Sequence, residues 1–419
     1  MFFVARKRNK IMKAAAARRQ HGALHHIRRS VLLLLGIYNV RLHQGIARYA
    51  HEADWVLDDT YVSSGLLPVW WDGDGILGLI TNPKDVTAVR HFPECPLVDV
   101  SKGWIAKSMP ARYRASGLGR PRVYYDNARI ARLSAEHFLE RGFKHIAFLN
   151  CGNYWHEIER IPTYQKVIEG AGAQYHEIEY YRHVPPHSAL MVRDYLSAQR
   201  WLNQSIHDLP KPLAVTVASD NVSMRLFGAC DAAGVSVPEE VAILGCDNDP
   251  LICEAAPVPL SSVDTDWDRI GYEAAQLLDR LMAGKPAPRE LVLIPPKEIV
   301  TRLSTNILAV PDLKIARAVR FIWERHAETI GTPEVALAAG LNRRKLERDF
   351  RRFLGRSVGD EITNLRVEHG KKLLLETDLK AYEVAAQCGF SGIVHFSNAF
   401  RRLTGNRPSH FRRAARASA

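Results

Sequence analysis

Over residues 30–309 short apolar runs alternate with amphipathic stretches at helical spacing, and at Val310-Pro311-Asp312 that alternation stops, so that a second domain is expected over 310–415. Such alternation is the pattern of a parallel sheet with helices on both faces, whereas the sequence beyond residue 312 keeps only the helical period. The chain must therefore build two kinds of architecture in succession. Strands are expected at 31–37, 76–80, 96–100, 145–150, 213–218 and 241–246. Helices are expected at 129–141, at 222–233 before Gly234, and at 267–282 before Gly284, followed by an apolar run at 291–294. One strand-plus-helix unit takes roughly 30 residues, so this stretch holds enough units for two lobes, each a parallel, doubly wound sheet. In such sheets ligands bind at the carboxyl ends of the strands, where several of these runs end in polar clusters.

Beyond the linker the helix stops fall at regular places. Thr332-Pro333-Glu334 reads as a helix start, with a hydroxyl cap, a proline and an acid in the first turn, and Gly340 ends that short helix. Asn342 is placed to cap the next helix, which Gly355 stops. The same grammar returns with a helix at 381–388, a stop at Gly389, a cap at Ser391 and a helix to about Thr404 before Gly405. A longer helix at 361–376 separates the two. This is an all-α domain with two helix-turn-helix units in tandem.

Charge divides along the same lines. Residues 1–29 carry nine Lys/Arg and no acid, residues 30–311 carry 27 against 33, and residues 312–419 carry 21 against 12. The ends are basic and the middle mildly acidic, as a polyanion partner at the ends requires. The first 29 residues read as a disordered tail or an early start. Six scattered cysteines without a C-x-x-C pair argue for a reduced cytoplasmic protein without a metal site or disulfide framework. The longest apolar run, 31–37, is too short to span a bilayer.

In a helix-turn-helix the second helix enters the major groove, so it must be apolar inward and polar or basic outward. In the first unit Leu346, Phe350 and Phe353 share one face, while Arg343, Arg344, Glu347, Arg348 and Arg351 lie on the others. Arginine can grip guanine in bidentate fashion and glutamate can accept from cytosine. In the second unit Phe396, Phe400 and Leu403 are expected inside, leaving Ile393, Val394, Ser397, Asn398, Arg401 and Arg402 outside. Ile393 and Val394 suit thymine methyl groups, and Asn398 suits adenine. A bland reading, in which these are solvated charged faces and the two aliphatic residues pack within the unit, stays open.

Residues 333–413 resemble the AraC-type DNA-binding domain. Leu341-Asn342-Arg343-Arg344-Lys345-Leu346-Glu347-Arg348-Asp349-Phe350 carries its first recognition helix, and Gly389-Phe390-Ser391, Phe396-Ser397, Phe400-Arg401-Arg402, Gly405 and Pro408 carry its C-terminal signature. The resemblance implies base and backbone contact through the outward residues of both recognition helices. The middle stretch resembles the two-lobed, sugar-binding domain of LacI-type repressors and periplasmic binding proteins, in the form fused to an AraC-type domain in regulators of xylose operons. Gly45-Ile46-Ala47-Arg48-Tyr49, Asp72-Gly73-Asp74-Gly75-Ile76, Asp126-Asn127, Leu139-Glu140-Arg141-Gly142-Phe143, Gly245-Cys246-Asp247-Asn248-Asp249 and Leu260-Ser261-Ser262-Val263 carry it. It implies a small sugar effector, xylose or a related monosaccharide, held between the lobes, with double-stranded operator DNA as partner, a homodimer, contact with RNA polymerase and no cofactor.

A sugar pocket wants carboxylates, amides and a forked arginine on strand ends, with an aromatic wall. The candidates are Asp220 and Asn221, Asp247 and Asn248, and Arg160 following Trp155, together with Tyr38, Arg41 and Asp72 on the resemblance. Where that family carries Tyr-x-Arg this chain reads Tyr38-Asn39-Val40-Arg41, and Asn221-Val222-Ser223 follows Asp220 in place of further arginine. An enzyme fits poorly. Gly73 to Gly78 spells G-x-G-x-x-G, but the run precedes a strand instead of opening a helix, and His51-Glu52 lacks a second histidine. A sensor of another sugar or sugar acid, and a nonspecific nucleic-acid binder, are the other readings.

Overall fold

The structure, a computed structural model of the chain, describes residues 28–81, 83–89, 91–92, 95–101, 121–152, 154–184, 192–288, 290–310 and 312–417. Most of the basic tail lies outside these residues. Arg28 and Arg29 do not behave as tail: Arg29 Nη1 meets Asp279 at 2.5 Å and its carbonyl accepts from Val56 N.

In chain order the elements begin with β1 (Ser30–Leu35), α1 (Val40–Glu52), β2 (Val56–Asp58), α2 (Thr60–Ser64), β3 (Gly75–Leu79), α3 (Pro83–Val89) and β4 (Leu97–Asp99). Then come β5 (Val123–Tyr125), α4 (Asn127–Glu140), β6 (His145–Asn150), α5 (Trp155–Gly170), β7 (Gln174–Glu179), α6 (Val192–Asp208), β8 (Leu213–Val217), α7 (Asp220–Ala232) and β9 (Val241–Cys246). The α/β part closes with α8 (Pro250–Ala255), β10 (Ser261–Val263), α9 (Trp267–Met282), β11 (Val292–Ile294) and β12 (Ile299–Val300). All six strands read from the sequence are present, shortened by up to two residues at some ends.

Two compact units result. One comprises the chain up to Tyr124 with Trp267–Ile294. Its sheet has the order β2-β1-β3-β4, all parallel, with Leu32 beside Ile76 and Ile76 beside Leu97. Strand β1 is a continuous apolar run because helices cover both faces of a parallel sheet. Helices α1 and α9 cross so closely that a Cβ at Gly45 would stand 1.9 Å from Asp268 O, and one at Gly271 2.2 Å from Leu42 O. Only glycine permits that approach.

The other unit holds Tyr125–Asp266 and the chain from Pro295 onward. Its six-stranded sheet has the order β12-β10-β9-β8-β6-β7, parallel except for the β10–β12 pair. One core beneath it gathers Leu149, Ile178, Leu202, Val215, Leu226 and Ile243. The helical region follows in the same unit: α10 (Leu313–Arg325), α11 (Thr332–Ala339), α12 (Arg343–Leu354), α13 (Val358–Glu376), α14 (Ala381–Gln387), α15 (Ile393–Thr404) and α16 (Pro408–Ala417). It has two cores, one around Ile315, Val319, Leu346 and Phe350, the other around Val384, Phe396 and Phe400. Helix α13 serves both, giving Val358 and Ile362 to the first and Val367 and Leu374 to the second.

Candidate DNA interface and ligand edge

Asn342 caps α12 by accepting from Lys345 N at 2.8 Å, and left-handed Gly340 and Gly355 bound the helix as expected. Leu346 and Phe350 are fully buried, so the 3.6-residue period turns Arg343, Arg344, Arg348 and Arg351 outward, and all four are exposed. Arg348 Nε meets Asp349 at 2.9 Å, which orients its guanidinium. Two details differ from the sequence reading. Thr332 is not a cap: Gly331 holds that position, Glu334 accepts from Gly331 N, and the Thr332 hydroxyl donates to Glu347 at 3.2 Å. Glu347 is thereby half-buried against α11 instead of standing free for a base.

In the second unit Gly389 turns the chain at φ 76°, where a Cβ would also lie 2.6 Å from Ala327 O. Gly392, not Ser391, occupies the cap position of α15, and Ser391 Oγ instead lies 2.7 Å from His395 Nδ1. Phe396 and Phe400 are fully buried, but Leu403, expected inside, is 43% exposed and is not part of the core that those two rings build. Ile393 and Val394 are exposed, Val394 at 66%, with Asn398, Arg401 and Arg402, while Ser397 is half-buried. Arg351 of α12 and Arg402 of α15 both act on Asp360. Its carboxyl is held below its ordinary value first by hydrogen bonds from Ser357, with the two arginines adding to the effect. The two recognition helices therefore bring positive charge to the same end of α13.

The ligand candidates of the six-stranded sheet gather at its carboxyl edge. Arg160 is buried, donating from Nε to Asn127 Oδ1 at 2.8 Å and from Nη1 to the carbonyl of Ala218, just beyond β8, at 2.7 Å. Its guanidinium lies over the Tyr125 ring at 5.2 Å, and Tyr125 faces Trp155 with ring centroids 5.9 Å apart. Asn127 in turn donates to Glu159 at 2.7 Å. Tyr125, Asn127 and Glu159 were not among the candidates. Asp126 caps α4 by accepting from Arg129 N, so the helix starts two residues before the expected 129, and no local signal marks Asn127 as facing Arg160.

Beyond β9 the backbone is strained, with Asp247 at φ 109° and Asn248 at φ 53°. Such left-handed turns at non-glycine residues cost about 1–3 kcal/mol and persist where surrounding bonds dictate them. Here Asp247 N donates to Val263 O, Asn248 N to Ser262 Oγ at 3.0 Å, and Asp249 N to Asp220 Oδ2 at 2.8 Å. Asp220 also accepts from Ser262 Oγ at 2.6 Å and from Cys253 Sγ, and burial raises its carboxyl above the usual range. It acts as a tie beneath the turn, with both oxygens engaged, and Asn221 beside it is exposed.

On the first unit, Tyr38 and Arg41 stand where the carboxyl end of β1 enters α1, which Asn39 caps through Leu42 N. Tyr38 is 55% exposed and lies edge-on to His43. Asp72 is not brought to them. It precedes β3, and its neighbour Asp74 accepts from Ser30 N, so Asp72 lies at the opposite, amino edge of the sheet. That position also disposes of a dinucleotide loop at 73–78, since β3 begins inside it.

A sheet whose carboxyl edge offers a forked arginine and an aromatic wall, joined to paired helix-turn-helix units, defines a ligand-sensing transcription regulator. Family models agree: residues 135–305 match a periplasmic binding protein-like domain and residues 335–414 a helix-turn-helix domain. Over 90% of its length the chain is homologous to the xylose operon regulatory protein of Haemophilus influenzae, 25% identical and covering 95% of that protein. It is likewise 24% identical to the xylose operon regulatory protein of Escherichia coli K12, covering 94% of it. Among solved structures a xylose-binding transcription activator shares the fold, with a TM-score of 0.62, 22% identity, and coverage of 93% of this chain and 99% of the other. These relatives are transcription regulators, not enzymes, and among the described residues no helix is long and apolar enough to cross a membrane.

Proposed function

We propose that this chain is a cytoplasmic regulator whose affinity for operator DNA is set by a small sugar, xylose or a related monosaccharide. The observation that carries this is the buried Arg160, fixed by Asn127 and Ala218 against the Tyr125 ring beside the strained Asp247-Asn248 turn, in a chain that also carries the tandem DNA reader. A guanidinium fixed in this way and the carboxylate of Asp247 are the kind of donor and acceptor that vicinal hydroxyls of a sugar pair with. Tyr125 and Trp155 supply the apolar wall that a sugar ring's C–H face requires. Tyr38 and Arg41 are further ligand candidates, and Asp220 serves by holding the turn.

For DNA, Arg343, Arg344, Arg348 and Arg351, with Ile393, Val394, Ser397, Asn398, Arg401 and Arg402, form the contact set. Two copies of the chain bind repeated half-sites and present the sugar state to RNA polymerase. A thermal-shift screen against pentoses, hexoses and sugar acids tests the sensor, because a ligand bound only by the folded state raises the melting temperature. A rise with D-xylose alone assigns the effector; a rise with another sugar keeps the sensor and replaces the effector. No rise with any of them removes the sugar from the proposal.

A further inference from the structure

We infer that Arg302, outside both proposed contact sets, is the positioning residue that joins the ligand turn to the DNA-binding region. This inference rests on the sensor reading above and adds the route by which the turn is felt. Arg302 Nη2 donates to Asn248 Oδ1 at 2.9 Å, and Asn248 Nδ2 donates to Asp264 at 3.2 Å, so the side chain of the strained residue is held at both ends of its amide. Arg302 Nη1 also donates to Leu260 O at 3.0 Å, and its backbone N donates to Ser261 Oγ at 2.7 Å. One residue thus fixes the turn and the strand that follows it in the sheet.

From Ser261 the bonds continue towards the helical region. Thr305 Oγ1 donates to Ser261 Oγ at 2.7 Å, and His137 Nε2 lies 2.9 Å from Thr305 Oγ1. With the threonine proton given to Ser261, the imidazole must donate, which places a proton on Nε2. Arg141 Nε donates to Thr305 O at 3.1 Å, and its Nη1 donates to His137 O at 2.9 Å. The carbonyl of Arg141 then accepts from Ala309 N, and the next residue, Val310, is buried in the first core of the DNA-binding region with Leu346 and Phe350. Ser261, Ser304 and Thr305 have no exposed surface. A displaced partner there leaves a polar group unpaired in the interior, so a shift at Asn248 has no soft place to be absorbed before the linker. An ion pair between Arg320 of α10 and buried Glu239 braces the same two regions a second time.

The test uses the full chain with three variants: Arg302→Met, the milder Arg302→Lys, and Thr305→Val, which cuts the chain of bonds without touching the ligand turn. Without any ligand, hydrogen exchange is expected to quicken in Arg302→Met, or in Arg302→Lys if the first does not fold, both at 247–249 and at 306–312. Quickening confined to 247–249 overturns the inference. With the sugar found by the thermal-shift screen, Thr305→Val is expected to keep its thermal shift while the factor by which sugar alters operator affinity falls about 2- to 30-fold. An unchanged factor in Thr305→Val also overturns it. A wild-type chain that answers to no sugar defeats the sensor reading instead, and the exchange measurement still decides the role of Arg302.

Discussion

Replacing Arg402 by alanine isolates one backbone contact of the proposed DNA interface. Helix α12 exposes six cations, Arg343, Arg344, Lys345, Arg348, Arg351 and Arg352, and α15 exposes Arg401 and Arg402. Arg402 is exposed, follows the base-reading turn of its helix, and its charge acts on Asp360 at the end of α13, as that of Arg351 does. Each neutralised phosphate releases counterions and contributes about 0.9 to the slope of log affinity against log salt. If all but the Asp349-bound Arg348 grip phosphates, the slope per domain is about −6. Arg402→Ala is then expected to flatten it by about 0.9. Over a fourfold rise in salt, the wild type loses about 3.5-fold more affinity than the variant does. The loss at low salt should be the same on operator and on random DNA. Fluorescence anisotropy titrations at three salt concentrations read both quantities. An unchanged slope, or a loss confined to operator DNA, refutes the assignment of Arg402 to the backbone.

Arg348→Ala is expected to do the opposite, costing about 1–3 kcal/mol on the operator and little on random duplex; equal losses on both remove Arg348 from the base readers. Phe396→Ala empties a fully buried site between Phe390 and Phe400 and should cost about 3–5 kcal/mol in denaturant unfolding of the second helical core, a figure under about 1 kcal/mol being incompatible with the packing. Burial and then the Arg141 guanidinium push the His137 imidazole down to about 3, so the unfolded chain takes up a proton near its ordinary value of 6.5 while the folded one does not. Stability from this group is complete above pH 6.5 and is lost as the pH falls towards 3, on the order of 5 kcal/mol at most; melting curves of His137→Gln should show a shallower acid decline, and parallel declines contradict the buried neutral ring. Arg160→Met leaves Asn127 Oδ1 and Ala218 O without their donor, and calorimetry should show sugar affinity reduced tenfold or more, by about 1.4 kcal/mol or above; unchanged affinity places the sugar elsewhere.

The sequence by itself determined the elements that announce themselves locally. Strand β1 could be read because a parallel strand covered on both faces is an unbroken apolar run, and α12 because Asn342, Gly355 and the Leu346–Phe350 spacing mark its start, end and inner face. Strands β2 and β10 are three residues each, too short to show a period, and exist because the sheet beside them supplies partners, whereas β5 and β11, equally short, pair with each other across more than 150 residues of sequence. The ligand edge divides in the same way. Residue types named Arg160, Asp247 and Asn248 as sugar-like, but only packing showed that Asp220 is spent on holding a turn, that Asp72 lies at the wrong end of its strand, and that Tyr125 and Asn127 face Arg160 from another element. Caps, periods and charge are properties of neighbours along the chain and survive in one dimension. Which polar groups are left to meet a ligand depends on partners tens of residues away, such as Asn248 and Arg302, and only the folded backbone brings those together.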